Sequence, residues 1–519
     1  MRKTTLSLAM GALITAAAAP AARAADLWDI YQLAVKNDAT FQQAYSNYQA
    51  QEENGAIARG GYFPNITLNG QRSLTRTTSN QPQLLTLPNG QASFVDTTIT
   101  SRDHRTTWNA QLTQAIFNWS AWSAIEQASA QQAQAEADFQ TAQQDLLQRT
   151  TTAYFNVLNA RDTLKADRAA ADANAKQLEQ AKEKYEVGMS AITDVENAQA
   201  AYDQSAANLI SAQQQVITTE EQLRSIIGQP VGDLMEPSVD MPLRSPDPNS
   251  AQQWVDQALK QNPKLLSAMS AADAASASVG IERGQHLPSL SLVLTHNKNT
   301  DTTTGDFSAA GLGSQPFDNP STVNSNEAML QLSWPIWNGG STWARVNQAQ
   351  YQYQASLDNV KLVTRQTEQQ ARTAYLGVLT GISQVTALKQ SVKSNQTSMD
   401  ATQTGMEVGT RTIVDVLTAR QNLLTAETSF ANARYNYLES VLTLKASAGI
   451  LTEQDVKQVN ALLQVPSPAA DMTVPASSEQ MGAPSGGTVA APSAATNPFL
   501  TTPSAGTTAA PAASTKPPR

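Results

Sequence analysis

The phrase "VGMSAITDVE" at residues 187–196 returns as "VGTRTIVDVL" at residues 408–417, 221 positions later. Each copy carries an Asp, Asp194 or Asp415, in an apolar run a few residues after a Val-Gly pair. Other stretches repeat at nearly the same offset. "RGGYFPNITLNG" (59–70) answers "RGQHLPSLSLVL" (283–294), "LTQAIFNWSAW" from Leu112 answers "LSWPIWNGGSTW" from Leu332, and Tyr154 answers Tyr375. A spacing kept this closely is an internal duplication. What one half builds, the other builds again.

Each half has the same order of elements. Helices expected over about 26–60 and 250–284 run into Pro64 and Pro288, which mark helix-to-strand transitions. Period-two alternation follows: Ile66 and Leu68 between polar neighbours, and Leu290, Leu292 and Leu294 in the other half. After a polar loop the alternation returns in Trp108, Ala110, Leu112 and Ile116, and in Ala328, Leu330, Leu332, Trp334 and Ile336. Each half therefore contains a hairpin with one apolar and one polar face. The segments have roughly the 9 to 11 residues with which a strand crosses a bilayer. The flanking helices are too long to fold over so small a sheet, so the apolar faces are expected in lipid. Four strands cannot close, because an open edge in lipid leaves backbone groups unsatisfied and single-chain barrels begin at about eight strands. Several copies must share one barrel.

From about Asn118 to Val187, and again from about Asn338 to Val408, there is neither Pro nor a turn cluster. Helices of about 70 residues would span on the order of 105 Å. A helix returns from each end: Leu209, Val216 and Leu223 recur every seven residues, as do Val416, Leu423, Phe430, Tyr437 and Leu444. A second row, Leu417, Leu424, Ala431 and Leu438, broadens the latter stripe, as for a helix wedged between two neighbours.

The ends of the chain read differently. Arg2 and Lys3, an apolar Leu6 to Ala19 and Ala22-Arg23-Ala24 form a signal peptide over residues 1–24. The first repeat then runs over 25–228, a Pro-rich connector over 229–249, the second repeat over 250–464, and a Pro/Ala/Ser/Thr tail, expected to be disordered, over 465–519. There is no Cys, so neither disulfides nor a lipidated Cys hold the chain. A formal charge of −9, made more acidic by loss of the leader's cations, makes nucleic acid a poor partner. Past the leader no run of about 18 apolar residues supplies a transmembrane helix.

In both opening phrases a helix ends at Val-Gly, where Gly188 or Gly409 can take the left-handed conformation. Two readings of the acids stand side by side. Asp194 and Asp415 favour a helix N-terminus, Thr412 standing at capping-box distance from Asp415. Alternatively, in a tube built from several copies the tips converge, and Arg411 and Asp415, four residues apart, present charges on one helical face at the opening.

Together the signal peptide, the duplicated helix-hairpin-helix plan, "TTAYFNVLNARD", "VGMSAITDVENAQAAYD", "VGTRTIVDVL" and "ANARYNYLES" closely resemble the TolC family of outer-membrane factors, the exit ducts of Gram-negative bacteria, to about residue 460. The resemblance implies a mainly α fold with β: a homotrimer whose α-helical coiled-coil tunnel joins a shared 12-stranded transmembrane β-barrel, four strands per chain. It implies a duct in the outer membrane for drug efflux and type I protein secretion, with the tunnel in the periplasm. The implied partners are an inner-membrane transporter of the RND or ABC type and a periplasmic adaptor. The adaptor would meet the tips, here Val187, Gly188 and Met189, and Val408, Gly409 and Thr410. Links between inner and outer coils that keep the entrance shut carry over to Thr193, Asp194 and Arg411, and a cation-binding Asp ring to Asp415. Two positions depart: Met406 stands where relatives have a linking Tyr, and Thr418 where they have a second inward Asp, which implies a weaker latch and a weaker cation block.

Nothing points to an enzyme or to a cofactor. His104, His286 and His296 show no metal-ligand spacing, and no phosphate loop or nucleophile beside a base is present. The remaining rival is a periplasmic coiled-coil spacer or adaptor without a pore, which would not need a lipid-compatible hairpin in each half. Trp119, Trp122 and Trp343 fit either an aromatic girdle at the inner bilayer surface or packing at the barrel junction, and Asn89-Gly90 is a turn signal in an outer loop.

Overall fold

The computed structural model describes residues 24–87, 90–310 and 313–465. The signal peptide over 1–24 and the tail over 465–519 thus lie, but for one residue each, outside the described residues, as does Asn89.

The descending helix of each half is broken rather than continuous. In the first half α1 (Leu27–Asn37), α2 (Ala39–Glu52) and α3 (Asn54–Gly60) follow one another; in the second, α6 (Ala251–Gln261) and α7 (Pro263–Gly284) do. Asp38 and Asn262 cause two of the three breaks: each is extended and caps the next helix, Asp38 Oδ1 accepting from Phe41 N at 2.7 Å and Asn262 Oδ1 from Lys264 N at 3.0 Å. Pro263 at the first turn of α7 completes the helix start. Buried Asp38 also receives Arg149 Nη1 and Nη2, both at 3.2 Å, from the long helix beside it.

Pro64 and Pro288 stand immediately before β1 (Asn65–Thr86) and β4 (Ser289–Ala309). With β2 (Ala92–Phe117) and β5 (Gly313–Ser333) these form one antiparallel sheet in the order β1-β2-β4-β5. The strands have 22, 26, 21 and 21 residues, about twice the expected length. At about 3.3 Å per residue they outreach the 30 Å core of a bilayer even when tilted. Cross-strand partners share a face. The register sets Ile66 opposite Leu112, Leu112 opposite Leu294, Leu294 opposite Ala328 and Leu292 opposite Leu330. The alternating apolar residues therefore form one continuous band. It is bare in the single chain, with Ile66, Leu68, Leu330 and Leu332 between 62% and 72% exposed. The opposite face is polar: Arg105 pairs with Asp301 at 3.1 Å, and Thr107 donates to Asn299 at 3.0 Å. Three expected members leave the pattern. Ile116 falls in a bulge between Ala115 and Phe117, and Trp334 and Ile336 lie beyond the end of β5.

The long helices are α4 (Trp119–Glu186, 68 residues) and α8 (Ser341–Glu407, 67 residues), and the returning ones α5 (Ile192–Ile227) and α9 (Ile413–Ser447). The core lies halfway along α4 and α8 and at the far ends of α5 and α9. Leu27 and Ile30 of α1, Tyr154 and Phe155 of α4, Leu223 and Ile227 of α5, and Leu438 and Leu442 of α9 form one buried cluster. Each such side chain contributes about 1.5–3 kcal/mol by leaving water. The connector is strapped over it: β3 (Glu236–Pro237) pairs with β6 (Leu463–Gln464), and Tyr154 donates its hydroxyl to Met235 O at 2.8 Å. After α10 (Glu453–Asn460), Asn460 closes the belt, Oδ1 accepting from Leu27 N at 3.0 Å and Nδ2 donating to Asp26 at 2.9 Å. In α9 the expected rows are at least half-buried. In α5 they are not the main contact: α5 buries Ala198, Ser205, Ala212 and Thr219, a seven-residue row of small side chains, and leaves Leu209 and Val216 half-buried.

Candidate functional site

The two repeated phrases form the tips of the paired helices. At the first, α4 ends at Glu186 and Gly188 turns the chain with φ +74°. Its N–H donates to Tyr185 O at 2.9 Å and that of Met189 to Lys184 O at 2.8 Å, satisfying carbonyls the helix end would leave unpaired. At the second, Gly409 has φ +79° and Thr410 N donates to Gly405 O at 2.8 Å. Both turns push their side chains outward: Val187 is 69%, Met189 78% and Val408 70% exposed. An apolar knob beside a rigid glycine turn is a surface suited to another protein.

The acids behind the tips are engaged locally. Ser190 donates to Asp194 Oδ2 at 2.8 Å. Asp415 completes a capping box: its Oδ2 accepts from Thr412 N and Thr412 Oγ1, both at 2.8 Å, and its N–H donates to Thr412 Oγ1 at 3.2 Å. The Thr412 backbone bond, then the Thr412 hydroxyl and least of all Arg411, hold the Asp415 carboxyl below its ordinary range. Arg411 does not share a helical face with Asp415, because α9 begins only at Ile413. Instead it is exposed and folds back over Gly405, with its N–H on Gly405 O at 3.2 Å.

Among the described residues no hydrogen bond or ion pair joins Arg411 to Thr193 or Asp194; the contact between the two tips is apolar. Leu178 and Ala181 of α4 and Val195 and Ala198 of α5 form a small buried cluster, and Ile413 at the start of α9 packs against it. Sequence reasoning missed Ile413 and Gly405. The signal for Gly405 was present: a glycine inside a long helix costs about 1 kcal/mol against Ala and calls for a steric reason.

Higher on α9, Glu439 was also missed. Burial pushes its carboxyl up to about 7, the Thr152 hydroxyl offsetting part of the rise. Thr418 turns its hydroxyl back to Val414 O at 2.8 Å. Trp119, Trp122, Trp343 and Trp337 are all well exposed just past the strands, the arrangement of an aromatic girdle. Of the histidines, His296 shares 2.6 Å with Asn326 Oδ1 on the sheet, and among the described residues no group of His, Asp and Glu is placed to hold a metal.

Comparison with known proteins places this geometry in context. The sequence pattern of the outer membrane efflux protein family matches residues 30–229 and 254–450, one span in each repeat. Outer membrane protein TolC of Escherichia coli (strain K12) is 37% identical over 70% of this chain and 73% of its own length. The alkaline protease secretion protein AprF of Pseudomonas aeruginosa is 28% identical over 84% of this chain and 86% of its own. The crystal structure of the Campylobacter jejuni CmeC outer membrane channel superposes with a TM-score of 0.63, at 19% identity, over 84% of this chain and 89% of that one.

Proposed function

The chain belongs to the outer membrane efflux protein family and is an outer-membrane channel with its helical tunnel in the periplasm, and from that premise we propose how its residues build and gate the duct. Three copies close one barrel. The observation that carries this is the sheet itself: β1 and β5 both have unpaired outer edges, and a bare apolar band runs across all four strands. An open ladder in lipid leaves its backbone groups unsatisfied, so β5 of one copy pairs with β1 of the next and three sheets make 12 strands. The helices continue the contact. Since α8 follows β5 and α3 precedes β1, the same neighbours bring the start of α8 against α3, with Tyr351 and Ile57, both more than half exposed in one chain, available to that contact.

Beneath the barrel the tips Val187, Gly188 and Met189, and Val408, Gly409 and Thr410, receive a periplasmic adaptor, which couples the tunnel to an inner-membrane transporter of the RND or ABC type. The cargo is what that transporter delivers, whether drugs or secreted proteins; the efflux in the family's name supports the first and the name of the alkaline protease secretion protein AprF the second. Thr193, Asp194, Arg411 and Asp415 set the entrance, Asp415 from three copies forming a ring of three carboxylates that attracts cations. Met406 and Thr418 add neither an aromatic hydroxyl nor a second carboxylate, so closure rests on fewer polar links. The domain plan follows: a leader at 1–24, repeats at 25–228 and 250–464 around the connector 229–249, and an appended tail at 465–519.

Single-channel conductance of the purified protein in planar bilayers, with Arg411→Ser beside the wild type, tests the reading. A small wild-type conductance that rises in the variant supports duct and gate. A pore unaltered by the variant removes Arg411 from the gate, and no pore hands the chain to the coiled-coil spacer.

A further inference from the structure

On α9, five residues past Asp415, Arg420 is half-buried yet makes no hydrogen bond, ion pair or ring contact with any described residue. It stands between two polar clefts. One, of about 310 Å³, separates α9 from the α4–α5 pair and carries Asp167 of α4 on its wall, with Gln204, Ser205 and Asn208 as the polar groups of α5. The other, of about 640 Å³, lies toward α8 and holds Asp172 and Lys176 of α4 with Asp400 and Gln403 of α8. Asp167 is likewise half-buried and without a partner. Burial alone pushes the Arg420 guanidinium down and the Asp167 carboxyl up, and no opposite charge offsets either.

Two opposite charges, each partly stripped of water and each unpaired, face one cleft. Their desolvation is offset only if they meet. Asp172 and Asp400 on the second cleft are exposed, Asp400 accepting from Gln396 at 2.8 Å, so neither carries the desolvation cost that pairing would offset. We propose that Arg420 and Asp167 form an ion pair when α9 swings into the cleft against α4 and α5, and that this pair holds the tunnel mouth in its wider state. The direction rests on the channel reading above, in which Asp415 of α9 faces the bore. In that reading α4 and α5 lie farther from the axis than α9, so its motion toward them carries Asp415 away from the axis. Arg420 is a positioning residue, acting through the helix it stands on.

The test is the open fraction of single channels for Arg420→Gln, Asp167→Asn and the charge swap Arg420→Asp with Asp167→Arg. Each single substitution is expected to lower the open fraction about threefold, the scale of one partly exposed ion pair, and the swap to restore it. Arg420→Lys, which keeps the charge, stays near wild type and keeps the test readable if a single variant fails to assemble. Open fractions that are unchanged or raised in the singles, or a swap that restores nothing while trimers form, overturn the pair. Absence of any wild-type pore overturns the channel reading and this inference with it.

Discussion

The Arg411 side chain lies across Gly405, so close that a Cβ at position 405 would meet Arg411 Cγ at 2.7 Å. The bare glycine lets the second tip fold onto its own helix. Gly405→Ala is expected to raise helix propensity by about 1 kcal/mol and yet displace Arg411. Conductance should therefore change in the wild-type background and stay flat in an Arg411→Ser background, a non-additivity read from a double-mutant cycle. Equal effects in both backgrounds would place the glycine's role elsewhere.

The capping box separates two roles of Asp415. Thr412→Ala keeps the carboxylate but removes the hydroxyl, and should weaken the start of α9 by about 1 kcal/mol, read as faster amide exchange there. Block of the channel by divalent cations should survive it. Asp415→Asn should abolish the block. Because the Asp415 carboxyl is held below its ordinary range, its contribution to the helix start is present above the unfolded value of about 3.9 and is lost only as pH falls through the lowered one.

Glu439 gives the opposite pH dependence. Its folded value of about 7 lies above the 4.5 of a free carboxyl, so between these the folded state binds more protons than the unfolded. Stability is complete below about pH 4.5, falls as pH rises toward 7 and levels off above it. Heat-dissociation temperature should drop between pH 5 and pH 8. Glu439→Gln should flatten that slope, and an unaltered slope would assign it to other groups.

Asp38 breaks the first helix and anchors Arg149. Asp38→Ala removes a cap and leaves a guanidinium short of a partner, a loss of about 3 kcal/mol. Asp29→Ala, an exposed carboxyl in the first turn of α1, should stay within about 0.5 kcal/mol. Chemical denaturation of the assembled protein distinguishes the two.

The long helices and their Val-Gly ends were legible because nothing interrupts α4 and α8 until the glycines that terminate them. Strand length was not. Beyond Leu74 and above Trp108 neither face is apolar, so the period-two signal fades while the ladder from Arg76 and Arg102 continues to Thr86 and Ala92. The breaks at Asp38 and Asn262 carried their signals, a capping Asp and an Asn-Pro step, but the surrounding helical pattern masked them. The contact face of α5 was hidden because Ala198, Ser205, Ala212 and Thr219 do not register in a count of large apolar side chains. At the tips the sequence pointed to charges, whereas Ile413 makes the contact through packing.

The closure of the belt by Asn460 governs how the protein can be made. Leu27 N and Asn460 Oδ1 are 433 positions apart in the chain, and the cluster they seal takes residues from both repeats. A chain threaded across the inner membrane from its N-terminus reaches the periplasm with α1 exposed and its partner still unexported. The middle of the tunnel is thus the last part to be finished, whatever the hairpins and tips have already formed. Until then the emerging polypeptide carries unburied Leu27, Ile30 and Tyr31, a window in which a periplasmic chaperone has its binding site and a protease its substrate.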